Sequence, residues 1–150
     1  MNTIPNYAYR KASLSDMMFF YESMTSLENA LIDTFEFENN FKSKILDSNY
    51  YLFIIEDMHN PVGCVVLQKV YNLSDPSPWV EILEFFIQPK YRKLKAADYF
   101  YHTIETFVSE MGIFKMKVSC KVNSTISQHF FTKRGYKIQR KVYSKFVQAK

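Results

Sequence analysis

The chain has 150 residues, of which 47% are hydrophobic and 17% aromatic, and it carries a formal net charge of +4. One domain of this size buries roughly 70% of its unfolded surface, so the composition predicts that residues 1–150 form a single ordered domain and excludes a disordered tail. The mild excess of cations favours an anionic ligand, whereas nucleic-acid-binding proteins usually carry a denser basic face.

The first half of the chain predicts a strand, two helices and a hairpin. In chain order these elements are a strand at 7–11, a helix beginning at Ser13, a helix at 27–37, and strands at 49–56 and 62–71. Ser13 and Asp16 form a carboxylate version of the capping box, which marks a helix start. Residues 57–61, Asp-Met-His-Asn-Pro, form the turn sequence between the two β-rich runs and indicate a hairpin.

The second half of the chain predicts alternating strands and helices. The elements are a strand at 79–88, a helix at 94–111, a strand at 113–120, a short helix ending at Lys133, and strands at 136–138 and 141–146. Gly112 and Gly135 follow the two helices, as glycines at helix ends do. This order predicts an α/β fold with one mixed sheet of about seven strands, one parallel crossover and about four flanking helices.

Residues 85–97 combine an apolar strand, a proline, a basic turn and the start of a helix. Such a junction directs unpaired backbone N–H groups and the positive end of the helix dipole beyond the strand end. Four cations lie within six residues of this turn: Lys90, Arg92, Lys93 and Lys95. The segment therefore predicts a phosphate site. A weaker alternative is a nucleic-acid contact that also uses Tyr91 and Tyr99.

Three features together resemble the GNAT N-acetyltransferase superfamily over nearly the whole chain: the order of elements, the basic turn, and residues 130–136. The resemblance implies a GNAT-like domain that transfers an acetyl group from acetyl-CoA to a primary amine, in a small molecule or a protein, by direct transfer in a ternary complex. In this family a Gln/Arg-x-x-Gly-x-Gly/Ala turn holds the pyrophosphate of acetyl-CoA. Arg92 and Ala97 match its first and last positions, and Lys95 stands at the middle glycine.

The resemblance also implies which residues contact acetyl-CoA. The expected set is Phe85, Phe86 and Ile87 for pantetheine, Arg92, Lys93, Leu94, Lys95, Ala96 and Ala97 for the pyrophosphate, and Ser124 and Phe131 on the last helix. The family often places a tyrosine at the position of Phe131, where it returns a proton to the departing thiolate. Phenylalanine has no hydroxyl. Tyr21, Tyr136 and Tyr143 are candidates to replace it, and the alternative for each, which the sequence favours, is packing in the core or at its rim.

Two glutamates of the fourth strand are candidate bases. An amine must be neutral to attack a thioester, so a carboxylate or a water chain near this strand is required. Histone-acetylating members of the superfamily carry a glutamate at the position that Glu81 matches. Glu84 lies on the opposite face of a regular strand, although a bulge would rotate one of the two into the cleft. The alternative is that one carboxylate faces solvent and the other pairs with a lysine of a neighbouring strand.

The remaining residues predict neither a metal site nor a membrane segment. His59, His102 and His129 have no metal-ligand spacing, so we expect no metal. Cys64 and Cys120 are expected to be small buried thiols in a reducing compartment. The N-terminus is polar and no apolar run approaches about 18 residues, which predicts a cytoplasmic protein without a signal peptide or membrane contact.

The departures at Lys95 and Phe131 leave a second function open, namely a GNAT-shaped CoA-binding or regulatory module with weakened catalysis. The first two predicted helices are acidic, with Glu22, Glu28, Asp33, Glu36 and Glu38, which would favour a cationic acceptor. The aromatic-rich C-terminal strands are a candidate edge for a homodimer. Nucleic acid is not an expected partner.

Overall fold

A computed structural model describes residues 4–149 and contains one five-stranded mixed sheet. The strands are β1 (Tyr7–Lys11), β2 (Tyr50–Asp57), β3 (Asn60–Asn72), β4 (Asp75–Ile87) and β5 (Met116–Val118). The helices are α1 (Met17–Glu28), α2 (Thr34–Leu46), α3 (Ala96–Glu110) and α4 (Thr125–Thr132). Strands β1 to β4 are antiparallel neighbours, and β5 pairs in parallel with β4. The predicted mixed α/β architecture with a parallel crossover through α3 is therefore confirmed.

The chain divides into two compact units. The first ends at Val118 and contains the whole sheet with α1, α2 and α3, and the second begins at Ser119 and contains α4. The single domain expected over residues 1–150 stays a prediction. Among residues 4–149, no helix combines the length and apolar character needed to cross a bilayer.

The helix start expected at Ser13 is present. The backbone N–H of Ser13 donates to Asp16 Oδ2 at 2.7 Å, and a short 3-10 turn over Leu14–Asp16 leads into α1. The Arg10 guanidinium donates to both carboxylate oxygens of Asp16, at 2.7 and 2.8 Å, and its Nε donates to Glu56 at 3.0 Å. This network joins β1, the beginning of α1 and β2.

The second predicted helix is present, but its expected bounds, residues 27–37, are wrong. Helix α1 continues to Glu28 and stops at Asn29, which adopts the left-handed conformation with φ +51°. Helix α2 then begins at Thr34, because the Asp33 side chain accepts a hydrogen bond of 2.8 Å from the backbone N–H of Glu36. Local caps at Asn29 and Asp33 therefore outweigh an apolar periodicity that runs across the break.

The core covers both faces of the sheet. One face packs against α1 and α2 through a cluster of Phe20, Met24, Phe41, Leu52, Ile54, Cys64, Val66 and Phe86. The other face meets α3, where the rings of Phe85 and Phe100 lie 5.7 Å apart. Gly63 permits close approach of β3 to β4, since a Cβ at this position would lie 2.6 Å from the carbonyl oxygen of Phe86.

The strands predicted at residues 136–138 and 141–146 are also wrong, and the sheet has five strands rather than about seven. Alternating apolar residues give a segment two faces, but a strand forms only where its backbone finds ladder partners. Residues 136–149 contain no strand. For the same reason β5 covers only Met116–Val118 instead of the predicted residues 113–120.

Candidate active site

Strand β4 contains a bulge at Leu83. Its ladder with β3 pairs Glu81 with Gln68 and Ile82 with Leu67, but then pairs Glu84 with Val66, so Leu83 has no opposite residue. An extra residue of this kind bends a strand and changes its alternation.

The bulge places both candidate bases on one face of the sheet. Residues directly opposite in an antiparallel ladder point to the same side. Gln68 and Val66 are two residues apart on β3 and therefore share a face, and Val66 belongs to the cluster packed against α1 and α2. Glu81 and Glu84 consequently both point to the α1 and α2 face, whereas a regular strand would have separated them.

Strands β4 and β5 are paired over only part of their length. The parallel ladder joins Val80 to Met116, Glu81 to Lys117 and Ile82 to Val118, and it ends there. Strand β4 continues for five more residues to Ile87. The residues expected to contact pantetheine, Phe85, Phe86 and Ile87, lie in this continuation, beyond the last β5 pair.

The basic turn is built around a left-handed lysine. A 3-10 turn at Pro89–Tyr91 follows β4, and Lys95 is the N-cap of α3 with φ +61° and ψ +18°. Lys95 occupies the middle glycine of the expected motif and adopts the backbone conformation that glycine adopts most easily. Ala96 and Ala97 begin α3, whose first N–H groups have no intrahelical acceptor.

The cations of the turn have different surroundings. Arg92 Nε donates to the carbonyl of Ile87 at 2.9 Å, so this side chain closes the turn onto the end of β4. Lys90 lies over the ring of Tyr91, with its Nζ 5.2 Å from the centroid. Lys93 and Lys95 are exposed, as is Leu94 between them. The turn therefore presents lysines at the beginning of α3 while Arg92 secures it.

An open groove of about 490 Å³ lies beside this turn within the first unit. Its lining consists of Phe19, Glu22, Ser23, Phe86, Gln88, Pro89 and Lys90. The groove thus joins the end of β4 to α1, and its walls carry one carboxylate and one ammonium group. It is large enough for part of an elongated ligand.

The charged and nucleophilic groups near β4 differ in reactivity. Glu81 is half-buried and makes neither a hydrogen bond nor an ion pair with the described residues, so its carboxylate is available to a substrate. Glu84 is also half-buried, and its charge lies near the thiol of Cys64. Burial, with a smaller effect of the Glu84 charge, raises the pKa of Cys64 to about 12, which makes this thiol a packing group. Within residues 4–149, no cluster of three or more His, Cys, Asp or Glu side chains could hold a metal ion.

The second unit contains the remaining predicted site residues. Ser124 is the N-cap residue of α4, and its hydroxyl bonds to Ser127 at 2.9 Å. Phe131 is buried, and the ring of Tyr136 packs edge-on against it at 5.3 Å. Of the tyrosines considered as substitutes, Tyr21 already donates to the carbonyl of Ile32 and Tyr143 is exposed.

The family model of the acetyltransferase (GNAT) family matches residues 16–136. The chain belongs to the GNAT family. No curated protein sequence gives a significant match to it.

Solved structures share this GNAT fold at low sequence identity. A transcriptional regulator from Bacillus halodurans C-125 is 13% identical with a TM-score of 0.85, over 95% of this chain and all of that one (100%). Aminoglycoside 6'-N-acetyltransferase AAC(6')-Ih from Acinetobacter baumannii is 14% identical with a TM-score of 0.81, over 96% and 100%. AAC(6')-Iy, solved in complex with CoA, is 15% identical with a TM-score of 0.81, over 97% of each chain. At these identities the likeness shows the fold.

Two residues near the candidate site, Tyr7 and Trp79, escaped sequence reasoning, and Tyr91 was considered only for a nucleic-acid contact. The hydroxyl of Tyr7, on β1, donates to the carbonyl of Leu94 in the basic turn. The hydroxyl of Tyr91, within the turn, donates to the carboxylate of Asp57. Trp79 shares the face of Glu81 on β4 and is 6% exposed. The only sequence signal for Tyr7 is an aromatic residue on the first strand, and its partner is 87 residues away. Such non-local pairs leave no local pattern.

Proposed function

We propose that this GNAT protein is an acetyl-CoA-dependent N-acetyltransferase that transfers an acetyl group to a primary amine by direct transfer in a ternary complex. The observation that carries the proposal is the ladder between β4 and β5, which ends at Ile82 and Val118 while β4 continues to Ile87. A strand that parts from its neighbour can offer its backbone to an extended ligand. The CoA complex of AAC(6')-Iy, which shares the fold, supports CoA as the acetyl carrier.

In this proposal, pantetheine bonds to the backbone of Phe85, Phe86 and Ile87, and the pyrophosphate lies at the beginning of α3. The N–H groups of Ala96 and Ala97 are suited to the phosphate oxygens, because the helix dipole adds a partial positive charge there. Lys93 and Lys95 add full charges, and Arg92 holds the turn through its bond to Ile87. Leu94 is tied down by Tyr7. Ser124 is assigned a further contact to the acetyl carrier.

The chemical step requires a base and an electrophile. Glu81 accepts a proton from the substrate ammonium, and the neutral nitrogen attacks the carbonyl carbon of the acetyl thioester. The C–N bond forms, the C–S bond breaks, and CoA departs as a thiolate that takes up a proton. Glu81 is preferred as the base because its carboxylate has no partner among the described residues and shares the α1 and α2 face with Glu84. Glu84 is the second candidate.

The proton donor to the thiolate is not a side chain at position 131. Phe131 keeps a ring on α4 but has no hydroxyl, so we assign this role to Tyr136 or to water. Tyr136 is favoured over the other tyrosines because its ring contacts Phe131 at 5.3 Å. Its backbone N–H also donates to the Phe131 carbonyl at 3.1 Å, which keeps the two residues together.

The alternative function is a CoA-binding or regulatory module with weakened catalysis. Two observations favour it: the family's middle glycine is Lys95, and the hydroxyl expected on α4 is missing at Phe131. A module of this kind would bind CoA and turn over slowly or not at all. The two functions share the carrier site and differ in the chemical step.

We also propose that the protein forms a homodimer through its C-terminal segment. Five apolar or aromatic residues there are 81–101% exposed: Ile138, Val142, Tyr143, Phe146 and Val147. Soluble monomers seldom leave this many large apolar side chains of one short segment uncovered. These residues have high β-propensity and lie in a segment without ladder partners in one chain, which suits a strand that gains its partners from a second copy.

The decisive experiment measures release of free thiol from acetyl-CoA in the presence of a panel of primary amines. Amine-dependent release, with the N-acetylated product identified by mass spectrometry, would support the enzyme. CoA binding measured by calorimetry without release for any amine would favour the regulatory module. Absence of both binding and release would contradict the two functions together.

A further inference from the structure

The single tryptophan of the chain lies beside the proposed base. Trp79 is opposite Val70 on β3, and Glu81 is opposite Gln68, so the two side chains share the α1 and α2 face. Residues two apart on one face of a strand are separated by about 7 Å. Trp79 is therefore a near neighbour of the position where the acceptor amine must lose its proton.

A lysine opposite Glu81 is directed at this tryptophan instead of at the glutamate. Lys117 is the parallel partner of Glu81 on β5, but its Nζ lies 3.7 Å from the centroid of the Trp79 ring. Glu81 and Lys117 form no ion pair, although opposite charges face each other across the ladder. Neither charged group forms an ion pair with the described residues, although Lys117 lies near enough to Asp75 to help Lys115 lower the pKa of that carboxyl.

The indole nitrogen of Trp79 is a buried donor without an acceptor. Its Nε1 has no hydrogen-bond partner among the described residues, although the side chain is almost completely buried. Indole N–H can only donate, and leaving such a group unpaired is costly. The nearby Lys115 is already engaged with Asp75 at 3.1 Å, so Lys117 and Trp79 are the two donors of this cluster that lack an oxygen partner.

We propose that Trp79 and Lys117 form a specificity site for an anionic oxygen group carried by the acceptor amine. The acceptor then combines a primary amine at Glu81 with a carboxylate or a phosphate within about 7 Å of it, as in an amino acid or a phosphorylated amino alcohol. The anion accepts from Lys117 Nζ and from the Trp79 indole N–H. The assignment rests on the proposed function, because it takes Glu81 as the base.

Charge distinguishes this acceptor from a polycation. A polyamine or an aminoglycoside would place a second ammonium group near Lys117, and like charges at such distances repel. The acidic residues of α1 and α2 would favour a cationic acceptor if they faced it. Most of them are exposed on the helices, as Glu28 and Glu36 are. The pair that adjoins the base is Trp79 with Lys117.

Binding and turnover can be measured separately, because the intrinsic tryptophan fluorescence of the protein comes from Trp79 alone. We would titrate the protein, saturated with CoA, with matched pairs of amines: β-alanine against its methyl ester, and O-phosphoethanolamine against ethanolamine. The same amines would be compared by kcat/KM for thiol release from acetyl-CoA. The variants are Lys117→Met, which keeps the aliphatic cover of the indole, Lys117→Arg, which restores a cation, and the exposed-lysine control Lys42→Met.

For wild type and for Lys42→Met, we expect a saturable change of fluorescence and at least about a tenfold preference for one anionic amine over its masked partner, the size of one charge-assisted hydrogen bond. Preference for β-alanine would assign a carboxylate, and preference for O-phosphoethanolamine a phosphate. Lys117→Met should remove the preference by lowering kcat/KM for the anionic amine far more than for its masked partner, and Lys117→Arg should restore most of it.

The two possible failures have different signatures. Thiol release that does not distinguish the pairs, or an equal loss for both members in Lys117→Met, would overturn the specificity site and leave the acetyltransferase standing. A fluorescence preference for anionic amines without any thiol release would support the site and contradict the enzyme. Absence of a preference in both measurements would overturn the site.

Discussion

The hydroxyl of Tyr7 donates a hydrogen bond of 2.9 Å to the carbonyl of Leu94, 87 residues further along the chain. Tyr91, in the same turn, donates to Asp57 Oδ2 at 3.2 Å, and Asp57 is the ladder partner of Tyr7. Burial and the Asp57 charge raise the pKa of both tyrosines, so the hydroxyls remain protonated donors. An edge strand that carries no proposed ligand contact therefore holds the turn that leads into α3.

Removing the Tyr7 hydroxyl should weaken CoA binding. In Tyr7→Phe the ring contacts with Tyr91 and Tyr99 remain, but the carbonyl of Leu94 loses its donor. A lost hydrogen bond of this kind is worth about 1 kcal/mol, so we expect a CoA dissociation constant about fivefold higher by calorimetry. Tyr9→Phe, on the same strand, is the matched control and should bind CoA as wild type does. Equal binding by both variants would mean that the turn is held by other contacts.

Lys95 should show the cost of its left-handed backbone. Glycine adopts φ +61° without the Cβ penalty, whereas alanine retains it. Lys95→Gly should therefore be more stable than Lys95→Ala by about 1 kcal/mol in urea unfolding. The comparison is matched because both variants lose the ammonium group. Indistinguishable midpoints would show that position 95 is not left-handed in solution.

Glu81 should matter for turnover and not for carrier binding. Glu81→Gln should lower kcat by roughly 10²-fold or more, because the base is lost, while the CoA dissociation constant stays unchanged. Glu84→Gln should have a smaller effect. Rates are best compared from about pH 6 to pH 9, since a free amine at high pH needs no base and the variants should approach wild type there. Activity of Glu81→Gln equal to wild type over this whole range would exclude the residue as the base.

Asp16 should make stability depend on acid pH. The side-chain hydrogen bonds from Arg10, together with the Ser13 N–H, hold its pKa below the usual value despite burial. Because the folded pKa is the lower one, the stabilisation is complete above the unfolded value of about 4 and disappears as the pH falls through the folded value. Asp16→Asn should lose about 2 kcal/mol near neutral pH.

The difference between Asp16→Asn and wild type should shrink steadily below about pH 4 in denaturant unfolding measured across the acid range. Glu38→Gln breaks an exposed pair with Lys42 and should cost only about 0.3 kcal/mol. A difference that stays constant from neutral to acid pH would mean that packing, not charge, accounts for the effect at Asp16.

The C-terminal segment should determine the oligomeric state. Light scattering should give twice the chain mass of 17.8 kDa for wild type. Phe146→Ser combined with Val142→Ser should shift the protein towards monomer, because both side chains are almost fully exposed in one chain. Leu73→Ser removes an equally exposed residue from the β3–β4 turn and should leave the mass unchanged. A monomeric wild type at about 100 μM, a concentration that saturates dimers with micromolar affinity, would contradict the proposal.

Local signals carried most of the correct expectations. The capping box of Ser13 and Asp16, the hairpin of β2 and β3, and the strand–turn–helix segment before α3 each depend on neighbours within a few residues, so the sequence could reveal them. The turn of that hairpin lies at Met58 and His59, and Asn60 already belongs to β3. The parallel crossover followed from the order of these elements.

Features that depend on distant partners could not be located from the sequence, and the bulge in β4 was considered without a position. The bulge at Leu83 exists only in relation to β3, and the hydroxyl of Tyr7 meets its acceptor across the sheet. Residues 136–149 have the composition of strands but lack ladder partners within one chain. The Trp79 indole nitrogen is buried without an acceptor because of tertiary packing, and no local sequence pattern predicts this.

The extra residue Leu83 also determines which side chains of β4 share a face. Val80 and Ile82 point to the α3 face, as do Phe85 and Ile87. Even-numbered residues before Leu83 therefore share this face with odd-numbered residues after it. Deleting Leu83 would leave every other side chain of β4 on its present face, because the residues before and after it would then form one regular alternation. Only the bend of the backbone would change. The ladder between β4 and β5 ends at Ile82, before the extra residue, so this deletion would keep the ladder and straighten the part of β4 beyond it.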